Sequence, residues 1–270
     1  MRTHKRDVGE KIVNIASHIK VSKWPLFITY NPHGFALKGR HTREVMKAVR
    51  PGDILTRSFN NYLNNFFIPG AFKHVGFYLG QVTENHLRKI AKIEHPAHFV
   101  TGAQIVIHVI NGEIVLEDLM DFCRCDGLAV MRFPAELKSL DSRQIPEALS
   151  TYFTTFTEPQ EGTQPSPLVK SEKDVAQHLA KGTALKFEKI FKLLYQVALN
   201  QLTAPYEFEL GMDAFDATAS TEFVYFVTKS ICWNYGIEPE TKKILFKPRQ
   251  IIEADNYVNS DLEEIWKTVR

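Results

Sequence analysis

At 270 residues and 44% hydrophobic content, the chain can bury a full core as one large domain. Its 33 basic and 31 acidic residues leave a net charge of +2, with no basic run beyond His4-Lys5-Arg6, which argues against nucleic acid as the main partner. The longest apolar runs, such as 104–110, fall short of the ~20 residues of a membrane span, and three cysteines (Cys123, Cys125, Cys232) make no disulfide framework.

In chain order, residues 8–22 place Val8, Ile12, Ile15, Ala16 and Ile19 near helical spacing, predicting an amphipathic helix. Residues 26–30 read as a short strand closed by a turn at Asn31-Pro32-His33-Gly34. A helix over 42–49 leads through the tight turn Arg50-Pro51-Gly52-Asp53 into a strand over 54–57. A short helix is expected at 60–67, then the turn Pro69-Gly70 and a strand over 74–80. Beyond the charged stretch 84–98, strands 104–110 and 113–116 form a hairpin around Asn111-Gly112, a strong two-residue turn signal. Another strand covers 128–133. Three prolines and little apolar content make 157–172 an exposed loop. One long helix is predicted over about 173–200 and a second from about 219 to 235, ending near Gly236. These elements predict an α+β class with a mostly antiparallel sheet. They fit a single domain over 1–270, with an N-terminal extension (1–45) and a helical insertion (134–200).

Several residues draw attention for their chemistry. His74 and His108 lie in apolar strands, and Ser220 opens an amphipathic helix. That layout suits nucleophilic catalysis, in which a nucleophile needs a base within reach and the base an orienting group. A helix N-terminus lies at the positive end of the macrodipole, with unpaired N–H groups nearby. Asp216 or Thr218 would cap this one, and the apolar face of Phe223, Val224, Phe226, Val227 and Ile231 would anchor it. Against this, a histidine in an apolar strand is more often a packed residue. Cys123-x-Cys125 lacks zinc-knuckle spacing, and the proline in Glu94-His95-Pro96-Ala97-His98 breaks any helical display of ligands. No metal and no cofactor is expected. Gly52-Asp53 reads as a structural turn.

The segments Arg-Pro-Gly-Asp-Ile-Leu (50–55) and Phe-Ile-Pro-Gly-Ala-Phe-Lys-His-Val-Gly-Phe-Tyr-Leu-Gly (67–80) resemble the permuted papain-like hydrolases of the NlpC/P60 superfamily, the YiiX/YebB-like group. The block 105–126 resembles that group's second motif, Pro-Tyr-Glu-Phe (205–208) its tyrosine motif, and Ala-Ser-Thr-Glu-Phe-Val (219–224) its nucleophile motif. All stand in the group's order, which is a circular permutation of papain's. The resemblance implies a papain-like sheet packed on helices, including the helix that carries the nucleophile. It implies His74 as base, His108 as the residue that orients it, and Tyr206 as donor to an oxyanion. An ordinary packed role for Tyr206 fits the residue equally well.

Position 220 carries serine where the group carries cysteine. A Cys→Ser trapping substitution, a natural serine version or binding-only relative, and Cys232 as the true thiol are three accounts of this. The expected function is cleavage or transfer of an acyl group from an amide, peptide or ester through an acyl-enzyme. A lipid acyltransferase or lipase, and a non-catalytic binding module, are the alternatives. The expected partner is a peptide, isopeptide or acyl-lipid substrate. With no apolar segment behind the basic N-terminus, a cytoplasmic location or export without a classical signal is expected.

Overall fold

The computed structural model describes residues 19–23, 26–30, 35–60, 70–110, 112–140, 143–158, 166–203, 216–244 and 247–268. The strands are β1 (Ile19–Lys23), β2 (Leu26–Tyr30), β3 (Ile54–Ser58), β4 (His74–Val82), β5 (Gly102–Ile110), β6 (Glu113–Asp118), β7 (Gly127–Arg132), β8 (Glu136–Leu137), β9 (Leu185–Lys186), β10 (Glu240–Ile244), β11 (Lys247–Ile251) and β12 (Glu263–Thr268). The helices are α1 (Gly39–Ala48), α2 (Glu84–Lys89), α3 (Leu119–Phe122), α4 (Glu147–Thr157), α5 (Pro167–Ala180), α6 (Phe187–Asn200), α7 (Asp216–Cys232) and α8 (Ala254–Val258). A six-stranded antiparallel sheet in the order β12-β7-β3-β4-β5-β6 forms the centre. The α+β class read from the periodicities is the class of the fold.

Alternation along the strands divides the sheet into two apolar faces. Ile54, Val75, Phe77, Leu79, Ile105, Ile107, Ala129 and Met131 face one way and share a core with Phe223, Val224, Val227 and Ile231 of α7 and with α4–α6. Leu55, Tyr78, Val106, Leu128 and Val130 face the other way, against Val45 of α1 and Leu119 and Phe122 of α3. The sheet is therefore a middle layer between helices. The turn at Asp53 is structural, as its sequence suggests. The buried carboxylate accepts the Arg50 N–H at 2.7 Å and a two-pronged bond from Arg132, both arms at 2.7 Å, which ties β3 to β7.

Three sequence expectations change. Residues 19–23 form a strand paired with β2, not the end of a helix; the run Ile19-Lys20-Val21-Ser22-Lys23 alternates with period two, and β2 is at hand to pair with it. The predicted helix over 173–200 is two helices. Gly182 takes φ +80°, a conformation open to glycine, and β9 pairs with β8 before α6 begins. The Pro-rich loop also ends sooner, because Ser166 accepts the Val169 N–H and Pro167 occupies the first turn of α5. Residues 159–165 of that loop, the helix expected at 60–67, most of the one at 8–22, and Tyr206 lie outside the described residues, as do the side chains of Asp216 and Thr218.

The helices of segment 134–200 support α7. Glu172 of α5 and Lys229 of α7, both buried, meet at 2.5 Å, and Lys229 also donates to the Phe226 carbonyl at 3.0 Å. Isolated charges at this depth would be costly, so the pair fixes how the two helices dock.

Candidate active site

The histidines read from the sequence come together. His74 and His108 lie on adjacent strands and on the same face, and His74 Nε2 is 2.7 Å from His108 Nδ1. Their rings meet edge to face at 4.9 Å. Phe122 lies beside both, 5.2 Å from the ring of His108 and 6.0 Å from that of His74. It can come so close because position 76 is glycine: a Cβ there would fall 2.7 Å from the Phe122 ring and 2.6 Å from Val106 Cγ1.

Two further charged residues extend the array, and neither was read from the sequence. Glu117 on β6 brings Oε2 to 3.0 Å from His108 Nε2, a close but bent approach that falls outside good hydrogen-bond geometry. Arg57 on β3 sits opposite His74 in the ladder. Its Nη1 reaches the same Oε2 at 3.4 Å and the Phe122 carbonyl at 3.3 Å, while the guanidinium covers the Phe122 ring at 4.4 Å. The result is a polar line, Arg57–Glu117–His108–His74, drawn from four consecutive strands on one face.

Burial, the Arg57 charge and His108 together hold His74 well below the usual imidazole range. His108 is also lowered, chiefly by burial, with Glu117 opposing. Burial pushes Glu117 up, but the His108 contact and the Arg57 charge outweigh it and leave the carboxyl below its ordinary value. At neutral pH the array therefore holds an ionised carboxylate and two neutral imidazoles.

Ser220 reaches the same neighbourhood from the other side of the sheet. The last β4–β5 pair on this end is Phe77 with Ile107, so the Val75 N–H lies beyond the ladder. That N–H donates to Ser220 Oγ at 3.3 Å, one residue from His74. Val75 shares the apolar face that α7 covers, whereas the His74 ring lies on the Phe122 face. The hydroxyl and the imidazole thus approach the end of β4 from opposite faces, at a point where β4 and β5 have parted. Ser220 is fully buried. Helix α7 starts earlier than its sequence suggests, at Asp216, so Ser220 is its fifth residue and lies past the first turn rather than at the N-terminus with its unpaired N–H groups. The next residue, Thr221, anchors this part of α7: its hydroxyl donates to the Ile252 carbonyl at 2.6 Å and its carbonyl accepts from Tyr257 at 2.7 Å.

Cys232 is not a second candidate nucleophile. It is buried at the far end of α7, and burial pushes its thiol up to about 12. Cys123 is likewise pushed up to about 12. Among the described residues no group of three metal-ligating side chains forms. A cavity of about 670 Å³ lined by Tyr152, Tyr225, Lys229 and Gln250 shares no residue with the histidine array. No described helix is long and apolar enough to cross a membrane.

Comparisons with known protein families, with curated proteins and with solved structures find no match.

Proposed function

We propose that the chain is a papain-like acyl hydrolase or acyltransferase with the permuted NlpC/P60 order. Residue 220 attacks an amide, peptide or ester carbonyl, His74 takes and returns the proton, and His108 orients His74. The observation that supports this reading is the 2.7 Å His74–His108 contact; because Ser220 and the His74 ring lie on opposite faces of β4, the proton has to pass around the strand end where Ser220 meets the Val75 N–H. A neutral His74 has a lone pair with which to accept a proton from a hydroxyl or a thiol, although burial and the Arg57 charge weaken it as a base. The bond between residue 220 and the carbonyl carbon forms as the proton passes to His74. The leaving amine or alcohol takes that proton as the acyl bond breaks, and water or an acceptor then releases the acyl group by the same route.

A second reading, a non-catalytic binding module, draws on the burial of Ser220 and on its hydroxyl accepting a backbone N–H. One experiment separates the two. Ser220→Cys is treated with iodoacetamide between pH 5 and 9 and assayed on amide, ester and thioester substrates. For a catalytic site, the thiol at 220 reacts faster than Cys232, titrates below a free cysteine, and slows by at least about tenfold when His74→Ala is added. A thiol no more reactive than Cys232, with no turnover, leaves the binding module as the function.

A further inference from the structure

We propose that Glu117, backed by Arg57, is a positioning residue that sets the tautomers of both histidines and so leaves the free lone pair of the array on His74 Nδ1. Two of the links follow from what each group can do. An ionised carboxylate only accepts hydrogen bonds, and a neutral imidazole carries one N–H and one lone pair. Arg57 Nη1, at 3.4 Å from Oε2, favours the ionised form of Glu117. The same Oε2 lies 3.0 Å from His108 Nε2. Even in a bent contact, a lone pair on that nitrogen would face a negative charge, whereas an N–H would be drawn to it. His108 therefore carries its proton on Nε2 and offers the lone pair of Nδ1. At 2.7 Å from that lone pair, His74 Nε2 must be the donor, and the remaining lone pair of His74 lies on Nδ1. The reverse sense would turn a lone pair toward Glu117. Arg57 adds a second constraint. Placed opposite His74 on β3 and over the Phe122 ring, it disfavours a further proton on the array and so keeps both rings neutral.

This deepens the acyl-transfer reading, on which its functional consequence rests, but the structural claim has its own test. Two-bond ¹H–¹⁵N correlation spectra of ¹⁵N-histidine-labelled protein show which ring nitrogens bear protons, with His74→Gln and His108→Gln assigning the signals. The expected result at pH 7.5 is an Nε2–H tautomer for both histidines. In Glu117→Leu the acceptor is gone and Arg57 is left as the nearest charge, which favours a lone pair on His108 Nε2, so both rings switch to Nδ1–H. Glu117→Gln, whose amide oxygen can still accept from His108 Nε2–H and Arg57, keeps the original sense. An Nδ1–H tautomer at either ring in the unaltered protein overturns the proposal whether or not the Glu117 variants fold. So do rings in a folded Glu117→Leu variant that keep their tautomers.

The second readout is alkylation in the Ser220→Cys protein. There Glu117→Leu is expected to slow the reaction at neutral pH by roughly 10²-fold, with Glu117→Gln retaining most of the rate. A purely structural role would not reverse tautomers or separate the leucine from the glutamine variant. If the tautomers are as expected but the introduced thiol is inert, the acyl-transfer reading fails and this inference stands. If the introduced thiol is reactive but the tautomers ignore Glu117, the inference fails alone.

Discussion

Glu222 lies two residues beyond Ser220 and is 2% exposed, and burial pushes its carboxyl up to about 7. A carboxyl raised in the folded state opposes folding once it ionises. Its stabilising share is complete below the unfolded value near 4.5 and is lost as pH rises through about 7. That rise, at about 1.4 kcal/mol per pH unit, amounts to about 3 kcal/mol. Glu222→Gln is therefore expected to be more stable than the unaltered protein at pH 8 by an amount of that order, and nearly equal to it at pH 4. Urea denaturation at the two pH values measures the difference; equal gains at both would show that ionisation is not the cause. At this scale the sequence was readable only in part. His74 and His108 stood out because the segments that carry them resemble motifs in a fixed order, since a histidine in an apolar strand is by itself ordinary. Arg57 and Glu117 carried no such mark, since charged residues at strand ends are common, and they meet the histidines only through lateral pairing of the strands.

Between elements, the short helix α8 has an effect out of proportion to its length. The Asp255 carboxylate accepts the N–H groups of Ala71 at 2.7 Å and Phe72 at 2.8 Å, just ahead of β4. Two residues later Tyr257 holds the second turn of α7 through Thr221, next to Ser220. One turn of helix thus references both His74 and Ser220 to a single frame. Asp255→Ala would leave two N–H groups without their charged acceptor and is expected to cost about 2 kcal/mol; Tyr257→Phe, losing one neutral bond, should cost about 1 kcal/mol. Chemical denaturation together with amide exchange at Ala71 and Phe72 tests this, and an Asp255→Ala protein as stable as the unaltered one would refute the clamp. This helix was not anticipated, because a five-residue helix lacks a repeat long enough to read. The break at Gly182 was missed for a related reason. The apolar pattern continues on both sides of it, and a single glycine does not say whether a helix tolerates it or ends there.

Across the molecule, local alternation made β3, β4, β5 and β7 readable, and Asn111-Gly112 marked the turn between β5 and β6. The order β12-β7-β3 was not readable, because nothing in a strand's own pattern names its lateral neighbour, and β12 comes from the far end of the chain. That order has a kinetic consequence. Arg57, His74, His108 and Glu117 all belong to β3–β6, where neighbours in the sheet are also neighbours in the chain. Closing such short loops costs little entropy, whereas α7 and α8 must return to β4 from beyond the whole of segment 134–200. Pulsed hydrogen exchange during refolding should find the amides of β4 and β5 protected in an earlier phase than those of α7. In each molecule's own history the imidazole pair would then be in place first, waiting on the sheet, and the hydroxyl of Ser220 would be the last part to arrive.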